Sequence, residues 1–171
     1  MSGAADFLVT SDGWIAWSGR RARCALGQSG VKPEAEKREG DGATPAGIFP
    51  LRSVLYRFDR GESPQTALPV HAVAPDDAWC EDPADPDYNK LVRLPHPGAT
   101  DRLWRDDHLY DVIVVIGHND APVRAGMGSA IFLHLARGDY SPTAGCVGVS
   151  RRDMERILRD AGPQSRIKIL F

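Results

Sequence analysis

Cysteine is scarce in this chain, and so are long apolar runs and charge of one sign. Cys24, Cys80 and Cys146 are the only cysteines in 171 residues. Three is too few, and odd, for a disulfide framework, and their separations fit no zinc-ligand spacing. No stretch approaches the ~18 consecutive apolar residues of a membrane span. Lys plus Arg number 21 and Asp plus Glu 23, a net charge of −2. That excludes the clustered positive excess of a nucleic-acid surface. The opening MSGAADFLVTSDGW lacks the basic patch, apolar run and small-residue cleavage site of a secretory leader. The expectation is a soluble, cytoplasmic chain with reduced thiols, or a periplasmic one if a leader preceded this numbering. Nothing in the sequence sets an oligomeric state. What is present is an ordinary globular balance, 42% hydrophobic and 26% charged, which excludes a disordered chain. The length predicts one domain over 1–171, with a core large enough to need neither disulfide nor structural metal.

The pattern is mainly β. Phe7–Val9 and Trp14–Trp17 flank Ser11-Asp12-Gly13, a natural hairpin turn. Arg21–Leu26 reads as a third strand. Lys32–Leu51, rich in Gly, Pro and charge, reads as a long loop ending in a short strand near Ile48-Phe49. Pro69–Val73 is a further strand. Residues 75–109 are acidic, proline-rich and weakly periodic, which predicts ordered loops with at most short helical turns. Tyr110–Ile116 is nearly all apolar and β-branched, as a strand buried on both faces would be. Ser129–His134 predicts a strand ending in a histidine. Ser150–Ala161 is the one clear helix. Ser150 caps it, Met154, Ile157 and Leu158 make its apolar face, and Gly162-Pro163 ends it. Arg166–Phe171 alternates as a C-terminal strand.

The densest chemical constellation is His134, the loop Leu135–Thr143, and then Ala144-Gly145-Cys146-Val147-Gly148. Glycines beside a cysteine permit tight turns and free main-chain N–H groups to converge on one point, as an oxyanion hole requires. A histidine one loop away could draw the thiol proton and favour the thiolate. The bland alternative is a small buried hydrophobe and a satisfied strand-end histidine. Spacing alone does not choose between them.

The segment IFLHLARGDYSPTAGCVGVS resembles the catalytic motif of the L,D-transpeptidase (YkuD-type) domain: His134, a loop, then Thr143-Ala144-Gly145-Cys146. Lys37–Phe49 resembles the same family's K…GDG.TP.G.F segment, and Trp79–Asn89 and Leu103–Asp111 look like its stand-alone single-domain branch. The resemblance implies a two-sheet β-sandwich with one helix near the C-terminus, long irregular loops, and the cysteine in a cleft at one end. It implies an enzyme acting on a peptidoglycan tetrapeptide or muropeptide, with no metal or cofactor. Cys146 would be the nucleophile and His134 the base, oriented by the Leu135 carbonyl. N–H groups of Cys146 and of Gly145 or Ala144 would hold the oxyanion. Hydrolysis to release D-alanine is the favoured outcome, transpeptidation the alternative, and a non-catalytic wall-peptide binding domain a further one.

Two departures stand out. Many members carry Arg or Asn where this chain has Gly148, and His where it has Ala144. Arg137, Arg151 or Arg124 could supply the missing cation. Thr143, Ala144, Arg137 and His118 are candidate substrate-binding residues. His118 either lines the cleft beside His134 or is structural. His71, His96 and His108 read as ordinary loop or strand residues, and Cys24 and Cys80 as inert thiols. The acidic run from Asp76 to Asp87 reads as a solvated loop. Its sharper reading is a rim attracting the amine of a diamino acid.

Overall fold

A computed structural model of the chain describes residues 5–171. Residues 1–4, where the reading for a leader begins, lie outside the described residues. In chain order the elements are β1 (Phe7–Thr10), β2 (Trp14–Trp17), β3 (Arg20–Arg23), β4 (Val31–Pro33), a 3₁₀ turn (Glu34–Glu36) and β5 (Thr44–Tyr56). They continue with β6 (Val70–Ala72), β7 (Asp77–Cys80), β8 (Leu91–Arg93), β9 (Thr100–Arg102) and β10 (Val112–Ile116). The last are β11 (Phe132–Leu135), β12 (Val147–Val149), α1 (Arg151–Asp160) and β13 (Arg166–Ile169).

The 13-residue strand β5 organises the molecule. Its first half pairs with β13 and, in parallel, with β4; its second half pairs with β10 and β6. This corrects the loop expected over Lys32–Leu51. Pro45, Gly47 and Pro50 suggested a break. Instead, Pro50 sits where the strand changes neighbours, and its carbonyl accepts from Gly117 N–H at 2.8 Å. Register slips there, because Ile116 faces Leu51 while Val115 faces Ser53, leaving Arg52 as a bulge. A bulged strand can serve two sheet layers at once.

The order β12-β11-β10-β5-β13-β1-β2-β3 thus folds into two layers that share β5. Between them lies one core. Phe7, Val9, Ile15, Phe49, Ile167 and Ile169 come from one layer, and Val54, Val114, Ile116, Leu133, Val147 and Val149 from the other. Met154, Ile157 and Leu158 of α1 join the same core. The helix follows its sequence signals: Ser150 Oγ accepts from Asp153 N–H at 3.1 Å, and Ala161 is the C-cap. A bridge between Ala25, just past β3, and Gly148 of β12 ties the two ends of the strand order together.

A second, three-stranded sheet, β8-β7-β9, occupies the middle third, where loops with short helical turns were expected. Its strands have three or four residues each, too short for a periodicity to register. On β10, Ile113 and Val115 face a second cluster with Leu103, Leu109, Tyr110 and Phe132, while Val114 and Ile116 face the first. Burial on both faces explains the all-apolar run. The strand expected at Ser129–His134 begins only at Phe132, because Ala130 adopts φ of +53°. His134 therefore lies inside β11, one residue before its end.

Candidate active site

Strands β11 and β12 run parallel, with Leu133 opposite Val147, His134 opposite Gly148 and Leu135 opposite Val149. Alternation along a strand sends Leu133, Leu135, Val147 and Val149 into the first core. Phe132, His134 and Cys146 take the opposite face. His134 and Cys146 are diagonal neighbours there, and the residue facing His134 is Gly148, which puts no side chain between them. The Tyr110 ring packs edge-on against His134 at 5.3 Å and against Phe132 at 5.8 Å.

His134 Nδ1 lies 2.8 Å from the Leu135 carbonyl. A carbonyl only accepts, so the neutral ring carries its proton on Nδ1 and leaves Nε2 as a lone-pair acceptor. The Cys146 thiol donates to the Ala130 carbonyl at 3.2 Å and accepts from Phe132 N–H at 3.4 Å. Both side chains are nearly enclosed, Cys146 7% and His134 5% exposed. Burial pulls His134 down to about 4, against the opposing pull of the Leu135 carbonyl, with Arg105 and Arg137 adding to the fall. Burial pushes the Cys146 thiol up to about 12, opposed by Phe132 N–H and aided by Asp101 and Glu81. Both groups are therefore neutral at pH 7. Burial thus works against the thiolate that a neighbouring histidine was expected to favour.

The turn before Cys146 is built by Thr143. Its Oγ1 donates to the Cys146 carbonyl at 2.7 Å and accepts from Gly145 N–H at 3.1 Å. Gly145 has φ of +140°, and a Cβ there would come within 2.8 Å of the Ala43 carbonyl oxygen, so no other residue fits. Ala43 N–H is in turn held by Asp41 Oδ1 at 2.9 Å, and the same oxygen takes Lys37 Nζ at 2.6 Å. Lys37 and Asp41 are thus a largely buried ion pair supporting the cysteine turn from behind. Among the described residues, the N–H groups of Cys146 and Ala144 have no hydrogen-bond partner.

The opposite wall comes from the middle third. Asn89 Oδ1 accepts from Ala130 N–H at 3.1 Å and from Trp79 Nε1 at 2.9 Å. Glu39 accepts from Tyr88 Oη and from Ser129 Oγ, the latter at 2.7 Å. These bonds hold the segment whose Ala130 carbonyl receives the thiol. Tyr110 Oη donates to Asp101 Oδ2 at 2.6 Å. Burial raises Asp101, and burial with the charges of Asp101 and Glu39 raises Glu81 to about 7. Sequence reasoning missed Asp101, Tyr110 and Asn89 as site residues, since only tertiary packing brings them to Cys146; Glu81 belongs to the acidic run whose sharper reading was a rim for the amine of a diamino acid.

His118 is not part of this group. Its Nε2 lies 3.1 Å from the Met127 carbonyl, its ring packs edge-on to Phe49 at 5.4 Å, and Glu34 is its nearest acid, at 3.7 Å. It lines a separate cavity with Glu34, Arg124 and Met127, so of the two readings given for it, the place in the cleft beside His134 is corrected. The turn following β10 carries it away to that side. Arg124 goes with it, and Arg151 is paired with Asp111 at 3.0 Å. Of the three candidate cations, exposed Arg137 is the one whose charge reaches His134. Arg105, paired with Asp107 at 2.6 Å, does so too.

A nearly enclosed Cys–His pair with an oriented imidazole and unpaired backbone donors defines a site suited to acyl transfer. Residues 4–169 match the YkuD family, the L,D-transpeptidase catalytic domain, and the chain belongs to that family. Solved structures with a similar fold include L,D-transpeptidase 1 of Mycobacterium tuberculosis (14% identity, TM-score 0.45, 98% of this chain and 60% of that one). An L,D-transpeptidase of Mycobacterium smegmatis is similar at 12% identity and TM-score 0.47, covering 99% of this chain and 60% of that one. L,D-transpeptidase 3 of M. tuberculosis has 11% identity and TM-score 0.46, with 98% of this chain and 61% of that one covered. The chain spans about 60% of the length of these structures. Comparison with curated proteins finds no significant match.

Proposed function

We propose that the chain is a cysteine-dependent L,D-carboxypeptidase that trims the terminal D-alanine from peptidoglycan tetrapeptides, with soluble muropeptides as substrates. Cys146 Sγ attacks the carbonyl of the L-centre of the third residue, a diamino acid, while His134 Nε2 takes the thiol proton. The oxyanion forms against the N–H groups of Cys146 and Ala144. Gly145 N–H is already committed to Thr143 and has no part in this. The carbon–nitrogen bond breaks, the imidazolium returns its proton to the leaving D-alanine amine, and a thioester remains. Water, activated by the same Nε2, resolves it.

The observation that carries this reading is the shared face of Cys146 and His134, with Nε2 left as acceptor by the Leu135 carbonyl. Asp101 and Glu81 support a cationic substrate. An ammonium seated between them would offset the charges that oppose ionisation of Cys146. The test is mass spectrometry of a disaccharide tetrapeptide incubated with the protein, with and without an added D-amino acid. Loss of D-alanine alone is the expected result. Incorporation of the added amino acid would instead establish transfer. No product from folded protein would remove the enzymatic reading, and Cys146→Ala must be inactive throughout.

A further inference from the structure

We propose that Cys80, Asp85 and His96, with Asp82 completing the set, form a binding site for a zinc-class divalent cation in the three-stranded sheet. The sulfur of Cys80, a carboxylate oxygen of Asp85 and a ring nitrogen of His96 all lie within 4.8 Å of one another. His96 Nε2 and Asp85 Oδ2 are 3.1 Å apart. A tetrahedral zinc with bonds of ~2.0–2.3 Å holds its ligand atoms roughly 3.2–3.8 Å from each other. The nitrogen and oxygen, 3.1 Å apart, lie just under that spacing, and small side-chain rotations bring all three atoms to it.

Asp82 is the nearby carboxylate that would swing in as the fourth ligand. Asp82 Oδ1 is held by Ala84 N–H at 3.0 Å and Asp85 Oδ1 by Asp87 N–H at 2.8 Å. Asp85 Oδ2 meets His96 Nε2 at 3.1 Å, and both it and Asp82 Oδ2 lie beside Gly98. A Cβ on Gly98 would lie 3.0 Å from Asp85 Oδ2 and from Asp82 Cβ and 3.2 Å from Asp82 Oδ2, so glycine lets the two aspartates pack closely there. Among the described residues, no Lys or Arg nitrogen lies within 4.0 Å of either carboxylate, and His96 is the single basic group paired there. One thiol, one imidazole and two carboxylates are a donor set that suits zinc better than the hard cations calcium or magnesium. On binding, the Cys80 thiol would release its proton to solvent and ligate as thiolate.

Such an ion would stiffen the wall behind Cys146. Cys80 N–H donates to the Lys90 carbonyl and the Cys80 carbonyl accepts from Asn89 N–H, both at 2.9 Å. Asn89 is the residue that holds Ala130, whose carbonyl receives the catalytic-site thiol. The proposal does not depend on the hydrolytic reading above.

The test is titration of the purified, chelator-treated full chain with cobalt(II). One equivalent should produce a sulfur-to-cobalt charge-transfer absorption in the near ultraviolet. The band should survive in Cys24→Ser and vanish in Cys80→Ser. Zinc at a hundredfold excess over its Kd should raise Tm by about 5 °C or more. A folded wild-type chain that shows no band and no zinc-dependent rise in Tm would overturn the proposal, and neither reading requires a variant to fold. A band that persists in Cys80→Ser would overturn it as well.

Discussion

The two faces of β11 and β12 make opposite uses of the same strands. One face puts Leu133, Leu135, Val147 and Val149 into an aliphatic core shared with β1, β13 and α1. The other presents His134 and Cys146 to Tyr110 and Phe132, with the charges of Asp101 and Glu81 acting on the thiol. The first face contributes stability through apolar area removed from water. The second gives up some of that contribution, since it buries a thiol and an imidazole in neutral forms that each resist ionisation. Because side chains alternate with a period of two, stability and chemistry are interleaved along the chain but separated in space.

That separation can be broken from either side, and the largest effect belongs to the polar face. Cys146→Ala should abolish D-alanine release, by roughly 10⁴-fold or more, while thermal denaturation shows a Tm little changed. Leu133→Ala, on the aliphatic face, should do the reverse. It should cost about 3 kcal/mol by denaturant unfolding and leave turnover per folded molecule nearly intact. A comparable loss would sink the division if it appeared in activity and not in stability. Asp41→Asn should cost about 3 kcal/mol, because it strands the buried Lys37 ammonium. Activity should fall as well, since the Ala43 segment that backs Gly145 is loosened.

Acid should affect both faces through one group. His134 sits at about 4 in the fold against 6.5 when free. Between those values the unfolded chain binds a proton that the folded chain does not. Stability contributed by the neutral ring is therefore whole above about 6.5 and lost as pH falls toward 4. The difference corresponds to about 3 kcal/mol, measurable by denaturant titration at pH 7 and pH 4. The acid limb of kcat/KM should fall near pH 4 rather than 6.5, because only the neutral ring can act as base. An acid limb at 6.5 would show that His134 is more solvated than its burial requires. The smallest effect is expected from Arg137→Ala. Removing an exposed cation that depresses His134 should move the acid limb slightly upward.

Legibility followed the strength of local signals. The hairpin at Ser11-Asp12-Gly13, the β-branched run of β10 and the capped helix α1 each carry their cause within a few residues. The Cys146 and His134 pair was legible for a different reason, the resemblance of two motifs in order, and the Leu135 contact followed from the same motif. Strand β5 was not legible. Pro45, Gly47 and Pro50 are local breakers, and only pairing with β13 on one side and β10 on the other makes them tolerable. The three-stranded sheet escaped because its strands are too short to show alternation. His118 was left between two readings because a motif next to a strong strand says nothing about which way the following turn carries it.

Composition and pattern alone determined a β-rich chain of globular composition and its one helix, while Cys146 and His134 were singled out only by the resemblance of two motifs. The first two depend on periodicity, capping and residue type, which act over one or two turns of chain. Tertiary structure decided that burial opposes charge on both members of the pair, that Asp101 and Glu81 act on the thiol, and that Gly145 keeps its N–H for Thr143. Desolvation and hydrogen-bond pairing depend on neighbours dozens of residues away, and only the closed fold brings those neighbours together.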